Sequence, residues 1–183
     1  MPLYLTNASN AAITPKELAA GRDARQDCQQ EWLRLHGVTL ISFTVVAPGP
    51  VKDSELTRRI FNIGLRALRE QAEQSKWPIV KQRCRAQPSG PEGLLAIDAP
   101  AGEVKLAAIA LEQSHPLGRL WDIDVFSPQG KLLSRSDFSQ PPRSCLLCAK
   151  PAALCARERA HALPELIARM EALLNDAENA ARS

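Results

Sequence analysis

The segment Val38–Ala47, VTLISFTVVA, is the feature that most restricts the fold of this chain. Branched side chains lose rotamer freedom in a helix and pack well on a pleated surface, so the run is read as a β-strand. Alternation places Ile41, Phe43 and Val45 on one face and Ser42 and Thr44 on the other, with Leu40 and Val46 beside them. Pro48-Gly49-Pro50 then stops both ladder and helix, because proline lacks the N–H that either would need. A strand needs partners, so the rest of the chain is read for segments that supply them and for helices that cover the apolar face.

Those segments follow in a regular order. A helix is expected from Asp53 or Ser54 to about Gln74, with Leu56, Ile60, Phe61, Ile63, Leu65, Ala67 and Leu68 at helical spacing. Pro78–Ala86 reads as a second strand that alternates Lys81, Arg83 and Arg85 onto one face. After the turn-rich Gln87–Pro91 comes a third strand, Gly93–Asp98. The alanine-rich stretch Ala101–Ser114 reads as helix, since alanine has the strongest helix propensity. Trp121–Phe126 is a fourth strand, and Pro128–Lys131 turns towards a possible hairpin at Leu132–Ser134. The order β-α-β-β-α-β implies an α+β fold with a ferredoxin-like core, an antiparallel sheet carrying both helices on one face. Its other face is expected to stay open, carrying Ser42, Thr44, Asp122, Asp124 and the basic stripe.

Two additions flank this core. Thr14-Pro15-Lys16-Glu17 has the pattern of a capping box with proline at the first helical position, so an N-terminal helix is expected over 14–36, ended by Gly37. Gly21 costs such a helix ~1 kcal/mol relative to alanine and divides it in this reading. Beyond Asp137, a Pro-Pro linker leads into SCLLCAKPAALCARERAH and a last amphipathic helix from Pro164 to about Asp176. The expected organisation is a catalytic α+β unit over 14–136, with its core at 38–127, and a Cys/His segment and helix over 143–183 packed on it.

Bulk properties exclude several classes. The 183 residues carry 45% hydrophobic and 23% charged side chains, with a net charge of +3. This is the composition of an ordinary globular chain, mildly suited to an anionic partner. No apolar run approaches the ~20 residues that span a bilayer, so no membrane association is expected. The N-terminus shows no secretory pattern, and the odd count of five cysteines suits a reducing cytoplasm. A ferredoxin-like RNA reader stacks bases on sheet aromatics. Aromatics are only 4% here and Phe43 faces the expected core, so no nucleic-acid partner is expected. Neither a Walker-type phosphate loop nor a Gly-x-Ser-x-Gly elbow is present.

The chemistry-bearing residues cluster around SHPLGRLWDIDVF. Asp122 and Asp124 lie on the same side of one strand, about 6.5–7 Å apart along it, with Trp121, Ile123 and Val125 on the other. Paired carboxylates repel unless a cation lies between them, and Mg²⁺ is bound through one or two carboxylates plus substrate phosphates. A solvated edge strand with two harmless acids is the competing reading. His115 precedes this strand and is a candidate general base, or a structural turn residue. Lys52, Arg58, Arg59 and Arg119 are candidates for phosphate contact; the first three lie at a helix start, where free N–H groups favour anions. Cys145, Cys148, Cys155 and His161 offer thiolate and imidazole at short spacing, the ligands of a structural Zn²⁺ site. The same cysteines can equally be buried small hydrophobes.

Three blocks resemble the citrate lyase holo-acyl-carrier-protein synthase family, also called apo-citrate lyase phosphoribosyl-dephospho-CoA transferase. They are FTVVAPGPVKDSELTRRIFN, LEQSHPLGRLWDIDV, and PPRSCLLC with CARERAH, in the same order from about Leu18 onwards. The resemblance implies transfer of phosphoribosyl-dephospho-CoA from triphosphoribosyl-dephospho-CoA to a serine of the citrate lyase acyl carrier subunit, with release of pyrophosphate. It implies a nucleotidyltransferase-like substitution at phosphorus; the paired carboxylates read above fit that chemistry, with Asp122 and Asp124 expected to hold Mg²⁺. A non-catalytic carrier-protein or nucleotide-binding module is the alternative, since mild basicity suits an acidic carrier equally well.

Overall fold

The computed structural model describes residues 2–182. Helix α1, Pro15–His36, is followed by strand β1, Thr39–Val45, helix α2, Glu55–Gln74, and strands β2, Ile79–Gln87, and β3, Gly90–Ile97. Helix α3, Ala101–Ser114, strands β4, Trp121–Phe126, and β5, Leu132–Leu133, and helices α4, Ala152–Glu158, and α5, Leu163–Arg182, complete the order. The strands form one antiparallel sheet ordered β2-β3-β1-β4-β5. The protein is therefore of the mixed α+β class.

The apolar alternation of β1 operates as expected. Ile41 and Phe43 join Leu95, Ile97, Trp121, Ile123 and Val125 in one buried cluster with Ile60, Phe61, Leu65 and Leu68 of α2 and Val104 and Ala108 of α3. Phe43 stacks on Phe61, and the Trp121 indole N–H donates to the Ile60 carbonyl at 3.2 Å. Met170 and Leu174 of α5 enter the same cluster, so the last helix is apolar where it meets the core. Helix α5 continues beyond the expected end near Asp176, and Glu178 in that extension takes the Arg59 guanidinium.

The expected open face is not open. Trp32 and Leu33 of α1 cover Leu40, Leu94, Ala96 and Phe126, and Gln29 donates to the buried Ser42 hydroxyl at 2.8 Å. Leu40 and Leu94 supply the reason: they alternate with the core residues and would otherwise expose apolar surface. Arg83 lies 5.3 Å from the Trp32 ring, and Arg85 pairs with Glu92, so much of the basic stripe is consumed by packing. Thr14 and Glu17 form the anticipated capping box, and α1 is continuous through Gly21. A Cβ at Gly21 would stand 2.5 Å from Ser89 Oγ, so the glycine admits the β2–β3 turn instead of breaking the helix. That turn is tighter than Gln87–Pro91 suggested, with β3 starting at Gly90.

Candidate active site

The site forms where the C-terminal end of β1 meets the N-terminal end of β4. Cross-strand pairing sets Asp122 opposite Thr44 and Asp124 opposite Ser42, on the α1 side of the sheet. Strand β5 pairs only with Val125 and Phe126, which leaves the outer edge of β4 unpaired further back. Side chains close that edge. Arg143 Nη1 donates to the Trp121 carbonyl at 2.6 Å, the Ile123 N–H donates to Glu112 Oε1 at 3.3 Å, and Lys105 Nζ donates to the Ile123 carbonyl at 3.3 Å. Buried polar edge groups are costly without partners, which explains a glutamate and a lysine sunk into this part of α3.

The two aspartates have different surroundings. Asp122 is half-exposed and accepts from Arg143 Nη2 at 3.1 Å. Burial, then the nearby Asp122 charge, pushes the Asp124 carboxyl up to about 6, against the pull of Lys105, Arg143 and Arg25. A second cation beside the pair would relieve both causes.

A cleft of ≈ 990 Å³ opens beside this strand end, lined by Val46–Gly49, Arg119, Arg135, Arg143 and residues of the Cys/His segment. Three arginines thus line one cleft. Glu112, buried on α3, pairs with Arg135, and Asp122 pairs with Arg143. Arg119 comes from the short 3-10 turn Gly118–Leu120, and its Nε is buried with no hydrogen-bond partner among the described residues. Burial, then the proximity of Arg143, holds the Arg119 guanidinium below its usual range. Positive charge gathered in a concave site favours binding of a polyanion.

The other expected phosphate contacts divide. Lys52 stays near the cleft, donating through Nζ to the Ala47 carbonyl at 2.5 Å. Arg58 does not reach it. Its Nε and Nη2 bond Asp53 at 2.7 and 2.8 Å, and Nη1 donates to the Tyr4 carbonyl, so its guanidinium is spent holding the N-terminal segment on α2. Arg59 bonds Glu178 and thereby ties α5 to α2. His115 lies against the Trp121 ring, 4.4 Å between centroids, and its Nδ1 accepts the Leu117 N–H at 3.0 Å. Trp121 faces the α2–α3 core, so His115 is on the side of β4 away from the aspartates. Arg135 and Arg143 had no local signal in the sequence: one stands in a polar turn and the other in a proline linker.

The Cys/His segment borders the same cleft. The ligand atoms of Cys145, Cys148, Cys155 and His161 all lie within 4.8 Å of one another. Burial opposes the charged form of Cys145, but the Leu147 and Cys148 N–H groups outweigh it, with help from Cys155 and Cys148, and bring its pKa down to about 6.

Comparison with known proteins covers most of the chain. The family model described as apo-citrate lyase phosphoribosyl-dephospho-CoA transferase matches residues 13–177. The chain belongs to this family. A protein of that name from Escherichia coli O139:H28 (strain E24377A / ETEC) is 60% identical over 169 residues, 92% of each chain. A protein of the same name from Shigella boydii serotype 18 (strain CDC 3083-94 / BS512) is 59% identical over the same share. The matched range contains α1, the whole sheet, the three cleft arginines and the Cys/His segment. Among the described residues, no helix is long and apolar enough to cross a membrane.

Proposed function

We propose that this chain transfers phosphoribosyl-dephospho-CoA from triphosphoribosyl-dephospho-CoA to a serine of the apo acyl carrier subunit of citrate lyase, releasing pyrophosphate. Family membership supports the reaction class. The observation that carries the site is the convergence of Arg119, Arg135 and Arg143 on the lining of one cleft, from which Arg143 reaches Asp122. Guanidinium groups present forked donors that match phosphate oxygens, so this lining suits the triphosphate end of the donor. In the proposed reaction a bond forms between the carrier serine oxygen and phosphorus, the bond from that phosphorus to pyrophosphate breaks, and the serine hydroxyl proton leaves to solvent or to the departing pyrophosphate. This is a nucleotidyltransferase-like substitution, in which most of the catalysis is positioning and charge stabilisation.

Asp122 and Asp124 fit Mg²⁺ by their shared face, and Asp124 is raised by burial and then by the Asp122 charge, which a bound cation would oppose. Bound there, the ion would polarise the reacting phosphate and neutralise the departing pyrophosphate. Arg119 then holds phosphate oxygens, while Glu112 and Asp122 aim Arg135 and Arg143. The proposal assigns no step to His115, Arg58 or Arg59. It also reads the β2-β3-β1-β4 order, with α2 and α3 on one face, as a ferredoxin-like core extended by α1 and β5. Five free thiols support a cytoplasmic setting.

The test is transfer activity of Asp122→Asn and Asp124→Asn, with circular dichroism to check folding. Loss of transfer in folded variants supports the assignment, and wild-type turnover in both would overturn it.

A further inference from the structure

We propose that Cys145, Cys148, Cys155 and His161 form a closed tetrahedral Zn²⁺ site that holds the cleft wall carrying Arg143 in place. The donor set is three thiolates and one imidazole, a structural zinc combination with no coordination position left for substrate. Zinc–sulfur bonds of about 2.3 Å place tetrahedral sulfurs about 3.8 Å apart. Cys148 and Cys155 Sγ are 3.5 Å apart, and all four ligand atoms fall within 4.8 Å.

Local structure prepares the site. A tight loop closed by the Cys145 N–H bond to the Lys150 carbonyl brings Cys145 and Cys148 together, and the Leu147 N–H donates to Cys145 Sγ at 3.5 Å. Helix α4, starting after Pro151, supplies Cys155, which is buried. Arg159, in left-handed conformation, then turns the chain back to His161. The Nε2 atom of His161 is buried and has no hydrogen-bond partner among the described residues. A buried ring nitrogen without a partner is costly, and a metal among the neighbouring sulfurs would satisfy it.

The loop also reaches both rims of the cleft. The Ala152 N–H donates to the Arg143 carbonyl at 2.8 Å, fixing the backbone from which Arg143 reaches Asp122. At the other end Leu163, two residues past His161, packs so closely on Gly49 that a Cβ there would stand 2.7 Å from Leu163 Cδ2. An ion joining residues 145, 148, 155 and 161 therefore locks the segment between the two rims. The site stands on its ligand geometry; only its effect on the cleft rests on the function proposed above.

The experiment reads metal and thiols, not transfer, so its outcome is separable from that reading. The full chain is purified without chelators, its zinc is measured by mass spectrometry, and its thiols are titrated before and after chelation. About one zinc per chain is expected, with three thiols becoming reactive as it is removed. Co²⁺ substitution should give intense visible bands of tetrahedral geometry and a sulfur-to-cobalt charge-transfer band. Cys148→Ser should lose the metal; His161→Cys should keep it with a shifted cobalt spectrum, and Cys28→Ser should leave it unchanged. No stoichiometric zinc in the wild type, or a mass lowered by one disulfide, would overturn the proposal. So would retention of full zinc by Cys148→Ser.

Discussion

At Gly64 the absence of a side chain is set by two aromatic rings. A Cβ there would lie 2.4 Å from Phe43 Cζ and 2.7 Å from Trp121 Nε1. Gly64→Ala should therefore overpack the α2–sheet contact and cost about 1–3 kcal/mol in denaturant unfolding. A neutral result would mean that the rings can move apart. Asp124 gives a prediction of opposite sign. Its folded-state pKa is raised from 3.8 to about 6, so the folded state binds that proton more tightly than the unfolded chain. The contribution favours folding below the unfolded value and is lost as pH rises through about 6. Without added Mg²⁺, Asp124→Asn should thus be more stable than wild type at pH 8, by on the order of 2 kcal/mol, and no more stable at pH 4. Thermal unfolding at the two pH values checks this. The alternation that sets Asp122 and Asp124 on one face was legible from spacing alone. The shift at Asp124 was not, because burial and the charges of Lys105, Arg143 and Arg25 come from segments far off in sequence.

Among the elements, α1 is where structure departs most from expectation. Its capping box and length were written locally, yet its destination on the second face of the sheet was not. The clue was Leu40, an apolar residue beside the face assigned to solvent, which with Leu94 is covered by Trp32 and Leu33 of α1. Arg58 shows the same limit. A basic residue near a helix start looks like an anion contact, but the structure buries it against Asp53. Arg58→Ala would leave Asp53 buried without its cation, at a cost of about 3–5 kcal/mol. Chemical denaturation should show that loss, while transfer per folded molecule stays near wild type. A selective loss of donor affinity with unchanged stability would instead make Arg58 a phosphate ligand. The strands and helices of the core were legible because each carries its own period; the hairpin at Pro88-Ser89 and the extra turns of α5 depend on pairing and packing.

For the whole molecule, the cleft is assembled from pieces that no local pattern connects. Val46–Gly49, Arg119, Arg135, Arg143 and the Cys/His segment, far apart in sequence, line one cleft in the folded chain. Arg119, with an unpartnered buried Nε, has the most to gain from an anionic ligand. Loss of a hydrogen bond to a charged group costs about 1.5–3 kcal/mol, so Arg119→Ala should raise the KM for the triphosphorylated donor by about 10- to 100-fold. Arg119→Lys should recover only part, since a point charge lacks the forked geometry. The KM for the carrier subunit should stay close to wild type. The most direct measurement is the intact mass of the apo acyl carrier subunit after incubation with this protein, triphosphoribosyl-dephospho-CoA and Mg²⁺, with pyrophosphate quantified in parallel. The predicted result is a gain of one phosphoribosyl-dephospho-CoA group on a serine, matched mole for mole by pyrophosphate. An unchanged carrier mass with no pyrophosphate, from folded protein, would contradict it.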